Sequence, residues 1–319
     1  MKHAFIAAMT ALSLCVSASA MAKDLNPVDI FIGDFAGVVT LDFDKLVANK
    51  MVGSAISENI GNVKEAGDLL SVLKEAGVDY SKDIDTVAIA SNDRGHVCVV
   101  VDGKVSLAKA VELMVAKSNM TAADYNELKI YTDTAGKNSS VLLSDKRLLD
   151  CETMFDIKAM IDNAKSAKPK VFKDHLSSVA KAYNSTSSSA DVRAGGKMTS
   201  FLKSKGKEYS LTSDDGKVIG VSDIESGAMS ISFAKGLHVA VTATAKDDAT
   251  ATTAAGILNA QVSALVADPQ LNEIGLGFVK DAIKITSDKK NVKATVSLTE
   301  DNMTTIVTLL GVSTMEASK

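Results

Sequence analysis

Apolar and polar positions alternate strictly in some stretches of the chain and recur at helical spacing in others. The alternation is clearest over 281–302, "DAIKITSDKKNVKATVSLTEDN", where Ile283, Ile285, Val292, Ala294 and Val296 take every second place. That pattern predicts strand, turn, strand. Residues 128–149, "LKIYTDTAGKNSSVLLSDKRLL", read the same way around a Gly/Asn turn. Each of these hairpins leads into a predicted helix, at 151–164 and 301–311.

Upstream of both lies a second shared pattern. "DIDTVAIASNDRGHVCVVVDGKVSLAKAVELMV" (83–115) and "DIESGAMSISFAKGLHVAVTATAKDDATATTAAGILN" (223–259) both begin Asp-Ile-acid and run through a strand. Both then turn on a charged residue plus Gly, place a histidine before a Val-rich strand, and enter an amphipathic helix. Ala108, Val111, Leu113, Met114 and Val115 are the apolar residues of one helix; Ala254, Ile257, Leu258, Val262 and Leu265 fall at helical spacing in the other. The reading is an α+β chain of two tandem repeats. Each is an antiparallel sheet, strand-strand-helix-strand-strand-helix, backed by helices.

The segments before the repeats differ. "GVVTLDFDKLVANK" (37–50) predicts a strand leading into a helix, and 62–78 a helix ended by Gly77. A helix is predicted over 171–184, and the tract "STSSSADVRAGG" (185–196) reads as a flexible or surface segment. "KEYSLTSDDGKVIGVS" (207–222) is a further hairpin turning on Asp-Asp-Gly. A boundary near Pro169 gives a first repeat domain over 23–168 and a second over 169–319.

The first 22 residues have the layout of a bacterial secretory signal peptide: Lys2 and His3, the apolar run Ala4–Val16, then small residues. Cleavage after Ala20 or Ala22 would start the mature chain at Met21 or Lys23. Lipid attachment at Cys15 is disfavoured, because Leu14 stands where a small residue is wanted. No later run reaches the ~18 apolar residues of a membrane helix. The expected location is therefore periplasmic or extracellular, with no transmembrane segment.

Composition narrows the function. The chain is 46% hydrophobic but holds only nine Phe, five Tyr and no Trp. Sugar sites and single-strand nucleic-acid platforms both lean on aromatic faces. The net charge of −4 comes with scattered lysines, so no nucleic-acid footprint is expected.

The chemical candidates are few. Without Cys15, the cysteines are Cys98 and Cys151, an even pair that would bridge in an oxidising compartment. The apolar run Val97–Val101 around Cys98 favours two buried thiols instead, with Cys151 at the start of the following helix. His96 and His238 hold matching places in the two repeats and form a candidate pair if the repeats pack face to face; the plainer reading is a strand-entry residue in each. His175 sits beside Asp174 on a helix, an ordinary solvated position. Asp83 with Asp85, and Asp223 with Glu225, give spaced carboxylates at the head of each repeat, most simply solvated turn acids.

No G-x-S-x-G elbow or phosphate loop is present, "GLG" at 275–277 being too short, and Asp79–Asp85 lacks the glycine and terminal glutamate of a calcium loop. No metal or cofactor is expected. Asn119, Asn138, Asn184 and Asn302 head N-x-[ST] tripeptides, read as chance behind a bacterial signal. The expectation is an exported, non-catalytic protein that binds a partner or joins an envelope assembly. The alternatives are a carrier of a small apolar ligand or lipid, and a hydrolase whose site converges from distant residues.

Overall fold

The computed structural model describes residues 25–49, 52–53, 71–152, 155–174, 177–198, 210–213, 216–267 and 269–316. The predicted signal peptide with Cys15, His175, and most of the helix predicted over 62–78 lie outside the described residues. The chain divides into two compact units, Met1–His175 and Leu176–Lys319.

In the first unit, β1 (Gly37–Asp42) runs into α1 (Phe43–Ala48), as the sequence predicts. Asp42 makes the switch by accepting from Lys45 N at 3.2 Å, the role of an N-cap. β2 (Ile84–Ser91) and β3 (Val97–Gly103) form a hairpin, followed by α2 (Ala108–Ser118). Next come β4 (Thr121–Tyr125), β5 (Leu128–Thr132), β6 (Asn138–Ser144), β7 (Arg147–Glu152) and α3 (Ile157–Lys165). The strands order as β1-β2-β3-β7-β6-β5-β4, each neighbouring pair antiparallel.

Both faces of this sheet are covered. Leu107, Ala110 and Val111 of the α2 region pack with Leu73, Val78, Ile84 and Leu148 on one side. Met160 and Ile161 of α3 are fully buried, as are Ile30 and Phe31 from the short turn before β1. The run Val97–Val101 therefore reads correctly as a strand between two layers. Cys98 and Val100 are fully enclosed, and Val97, Val99 and Val101 half-buried.

The second unit opens with α4 (Ser178–Asn184), capped by Ser177, whose hydroxyl accepts from Ala180 N at 3.2 Å. β8 (Val192–Lys197) follows, then the small hairpin of β9 (Ser210–Thr212) and β10 (Val218–Gly220). β11 (Ile224–Ser232), β12 (Leu237–Ala245), α5 (Asp248–Val266), β13 (Ile283–Asp288), β14 (Asn291–Leu298) and α6 (Glu300–Glu316) complete it. The strands order as β8-β11-β12-β14-β13, again antiparallel. Asp247 caps α5 through Thr250 N at 2.7 Å. That helix lays Ala251, Ala254, Ala255 and Ile257 against Ala245 and Val292.

The α+β class holds. Three expectations change in detail. The tract 185–196 is not loop throughout: its last residues enter β8, and Gly195 is buried there. A Cβ at Gly195 would lie 2.4 Å from Tyr183 N, so this glycine lets α4 approach the strand. Cys151 belongs to β7 and not to the start of a helix. Finally, 128–149 is not simply the counterpart of 281–302. Outward from β3 the order is β7 then β6, the places that β14 and β13 hold outward from β12, while β5 and β4 extend the first sheet. Asn126 and Glu127, both at positive φ (50° and 64°), close that added hairpin in two residues.

Candidate functional site

The residues singled out in the sequence resolve as follows. Cys98 and Cys151 face each other on β3 and β7, and the structure joins them as a disulfide, their Cα atoms 4.1 Å apart. Of the two readings the bridge is the one present: both cysteines are buried, as the apolar run around Cys98 implies, but Cys151 lies on β7 opposite Cys98 and not on a helix. In the sheet the two side chains emerge on the same face of neighbouring strands.

His96 pairs through Nδ1 with the Glu152 carboxylate, which also accepts from Val97 N at 3.1 Å. The hydrogen bond to His96, helped by the Val97 amide, holds the Glu152 carboxyl below the usual range. His238 meets Ser297 Oγ through Nδ1 at 2.9 Å. Each histidine thus has its partner within its own unit. Among the spaced acids, Asp83 accepts from Asp79 N at 2.8 Å and Asp223 from Gly220 N at 2.9 Å, the turn roles expected of them. Asp85 is raised, first by desolvation and then by Asp44 and Asp42 nearby.

His238 and Ser297 are the one serine–histidine contact among the described residues. It lies on an exposed sheet surface, and no described acid orients the second ring nitrogen. The strands carrying the pair, β12 and β14, are each paired on both sides. Their N–H groups are spent on ladders and cannot serve as an oxyanion hole.

The feature that sequence reasoning missed is the face of the second sheet turned away from α5. Strand register arranges it in cross-strand rows. One row is Ser232, His238 and Ser297. The next is Arg193, Ser230, Ala240, Thr295 and Lys284. A third is Gly195, Ala228, Thr242, Lys293 and Thr286, and a fourth Lys197, Ser226, Thr244, Asn291 and Asp288. On the central strands β11 and β12 this face carries only Ala, Ser and Thr apart from His238, while long side chains stand on the strands to either side. A depression results, walled on one side by α4 and the loop 185–190.

The depression has two lobes, of about 580 and 530 Å3, that share Ser185, Ala228, Thr242 and Lys293. Arg193 braces the wall: its guanidinium stacks 4.2 Å from the Tyr183 ring and its Nε donates to Thr186 Oγ1 at 2.9 Å. Ser226 and Ser230 are only 5% and 6% exposed, yet they line the lobes. Neither hydroxyl has a partner among the described residues. A buried hydroxyl left unpaired costs about 1–3 kcal/mol, so this is not the usual state of a folded interior. The sequence signal was available in "SGAMSIS" and "HVAVTAT", where alternate places hold nothing larger than Thr apart from His238.

No protein-family model matches the chain, and no curated protein does. Among solved structures it is similar to TP0453 in crystal form IV, with a TM-score of 0.53 and 8% identity over 88% of this chain and 96% of that one. Crystal forms III and I of TP0453 align at a TM-score of 0.48, with 9% and 8% identity over 89% and 90% of this chain and 98% of each of theirs. At that identity the likeness is one of fold.

Proposed function

We propose that this chain is an exported, non-catalytic bacterial binding protein, and that its ligand occupies the groove on the second sheet. The observation that carries the reading is the pair of buried hydroxyls, Ser226 and Ser230, which face the groove unpartnered among the described residues. A ligand rich in oxygen or nitrogen would satisfy both. The Ser/Thr lining supports a polar ligand over the small apolar one suggested by the Ala/Val/Leu-rich helices.

Export is supported by the layout of residues 1–22 and by the Cys98–Cys151 bridge, a bond that persists in oxidising compartments. Among the described residues no helix is long and apolar enough to cross a membrane. The shared strand order of β1-β2-β3-β7-β6 and β8-β11-β12-β14-β13 supports descent of both units from one duplicated repeat.

Intact-mass measurement on protein from the envelope fraction of its own cell tests export. The expected chain starts at Met21 or Lys23 with its cysteines oxidised. An unprocessed N-terminus, or reduced cysteines in the cell, would sink it. Native mass spectrometry of the same material tests the groove. A retained small molecule is expected, absent from a Ser226→Leu/Ser230→Leu variant that unfolds at a normal temperature; retention by that variant rejects the site.

A further inference from the structure

We infer that the first lobe of this groove is an oxyanion site, built to take a phosphate-type group of its ligand. The inference rests on the reading of the groove as a binding site and specifies what binds there.

Its first support is charge. Every ionisable side chain lining that lobe is a lysine or a histidine: Lys235, Lys293 and His238. No carboxylate lines it, although acids outnumber bases in the chain, 39 to 35. The acids Glu225 and Asp288 line only the second lobe. Neither Lys235 nor Lys293 has an ion-pair partner among the described residues. Two ammonium groups with no carboxylate beside them in the lining make the first lobe locally positive within a mildly acidic chain.

The second support is the hydroxyl floor. Ser230 is 6% exposed and reaches the lobe without a described partner. Thr242 lies directly opposite Lys293 on β12–β14, and Ser232 directly opposite His238 on β11–β12. Hydroxyls can each donate one hydrogen bond to an anion while the lysines supply charge, the division of labour by which proteins hold phosphate. His238 keeps one ring nitrogen on Ser297, which fixes the ring beside the lobe.

The third support is access. Small residues at the centre, Ala228 and Ala240, leave room for a tetrahedral group between Lys293 and the loop 185–190. In the third cross-strand row Lys293 touches both lobes. It is therefore the residue on which an anion in the first lobe, and the remainder of its ligand in the second, both converge.

Inorganic phosphate is the probe, titrated into the full mature protein and followed by amide chemical shifts, with glycerol as a neutral control at equal concentration. The expected result is a saturable shift at β11, β12 and β14 residues, weakened by added sodium chloride because exposed charges are screened. Lys293→Gln should weaken phosphate about tenfold, the scale on which one charge-assisted contact is lost. Ser230→Ala should also weaken it, yet leave the thermal midpoint equal or higher, since it removes an unpaired buried hydroxyl. Equal shifts with glycerol, unchanged affinity in Lys293→Gln, or no saturation would overturn the oxyanion assignment. If the native small molecule is still retained while phosphate fails, the groove stands as a binding site and only its anion specificity falls. If both fail, the underlying reading falls with it.

Discussion

Cys98 of β3 and Cys151 of β7 lie directly opposite each other, bridged across a ladder between strands 53 residues apart in sequence. Both are fully enclosed, at 0% and 1% exposure, beneath α3 and the Phe31 layer. The bridge closes the loop that contains α2, β4, β5 and β6. On a chain-entropy estimate, closing a loop of this length disfavours the unfolded state by about 4 kcal/mol. Cys98→Ala/Cys151→Ala should therefore unfold in urea with stability lower by about 3–4 kcal/mol, and reductant should leave that variant unaffected. Equal stability of the variant and the oxidised protein would show that the bridge adds nothing.

Gly195 yields a prediction opposite in sign to strand propensity. Alanine normally improves on glycine within a strand by about 0.5–1 kcal/mol. Here the added Cβ would sit 2.4 Å from Tyr183 N and 2.6 Å from Tyr183 Cα, against helix backbone that has no rotamer to change. Gly195→Ala should destabilise by about 1–3 kcal/mol through overpacking, measured by chemical denaturation. It should also loosen α4 from β8, seen as faster amide exchange at Ala182 and Tyr183. A stabilised variant would refute the close contact.

The carboxyl of Asp150 accepts from Ser140 Oγ at 2.5 Å between β6 and β7. Burial pushes it above the usual aspartate range, only partly opposed by that hydrogen bond, with Asp133 adding to the rise. A raised folded-state value means that the folded chain holds the proton more tightly than the unfolded one. Asp150 therefore opposes folding increasingly as pH rises from the ordinary aspartate value to its own folded value, fully above that, and not at all below the ordinary range. Asp150→Asn should stabilise at neutral pH by up to about 1 kcal/mol. The advantage should vanish near about pH 3, where both states carry a protonated aspartate. Destabilisation at neutral pH would contradict this.

Arg147 and Asp102 form a two-pronged ion pair across the same β3–β7 ladder, at 2.5 Å for Nε–Oδ1 and 2.6 Å for the second prong. Their side chains are 7% and 16% exposed. Asp102→Asn should cost about 3–5 kcal/mol, because it removes the negative charge that answers both prongs of a largely buried ion pair. Replacing both, as Asp102→Leu with Arg147→Met, should recover most of the loss. A double variant as unstable as the single one would mean that the pair contributes more than its own neutralisation.

Periodicity along the chain determined a large part of this protein. Alternation at Ile283, Ile285, Val292, Ala294 and Val296 located β13 and β14, and helical spacing located α2 and α5. The run Val97–Val101 marked a strand covered on both sides. These properties are local: side-chain period and turn chemistry decide them within a dozen residues. Strand β4 escaped because "TAADY" carries little apolar contrast and is mostly exposed.

Partnership between distant strands was decided only by the tertiary structure. Nothing near Cys98 specifies that β7 will lie beside β3, since the cost of closing a loop rises only slowly with its length. Burial of two apolar faces selects the order, and Cys151 then arrives opposite Cys98. The groove follows the same logic. Ser230, Thr242 and Lys293 come from three strands and look like ordinary solvent-facing positions one at a time. Register lines them up across the sheet, and α4, admitted by Gly195, walls them in. Alternation in the sequence says which side of each strand is polar; only the pairing of strands makes that side a site.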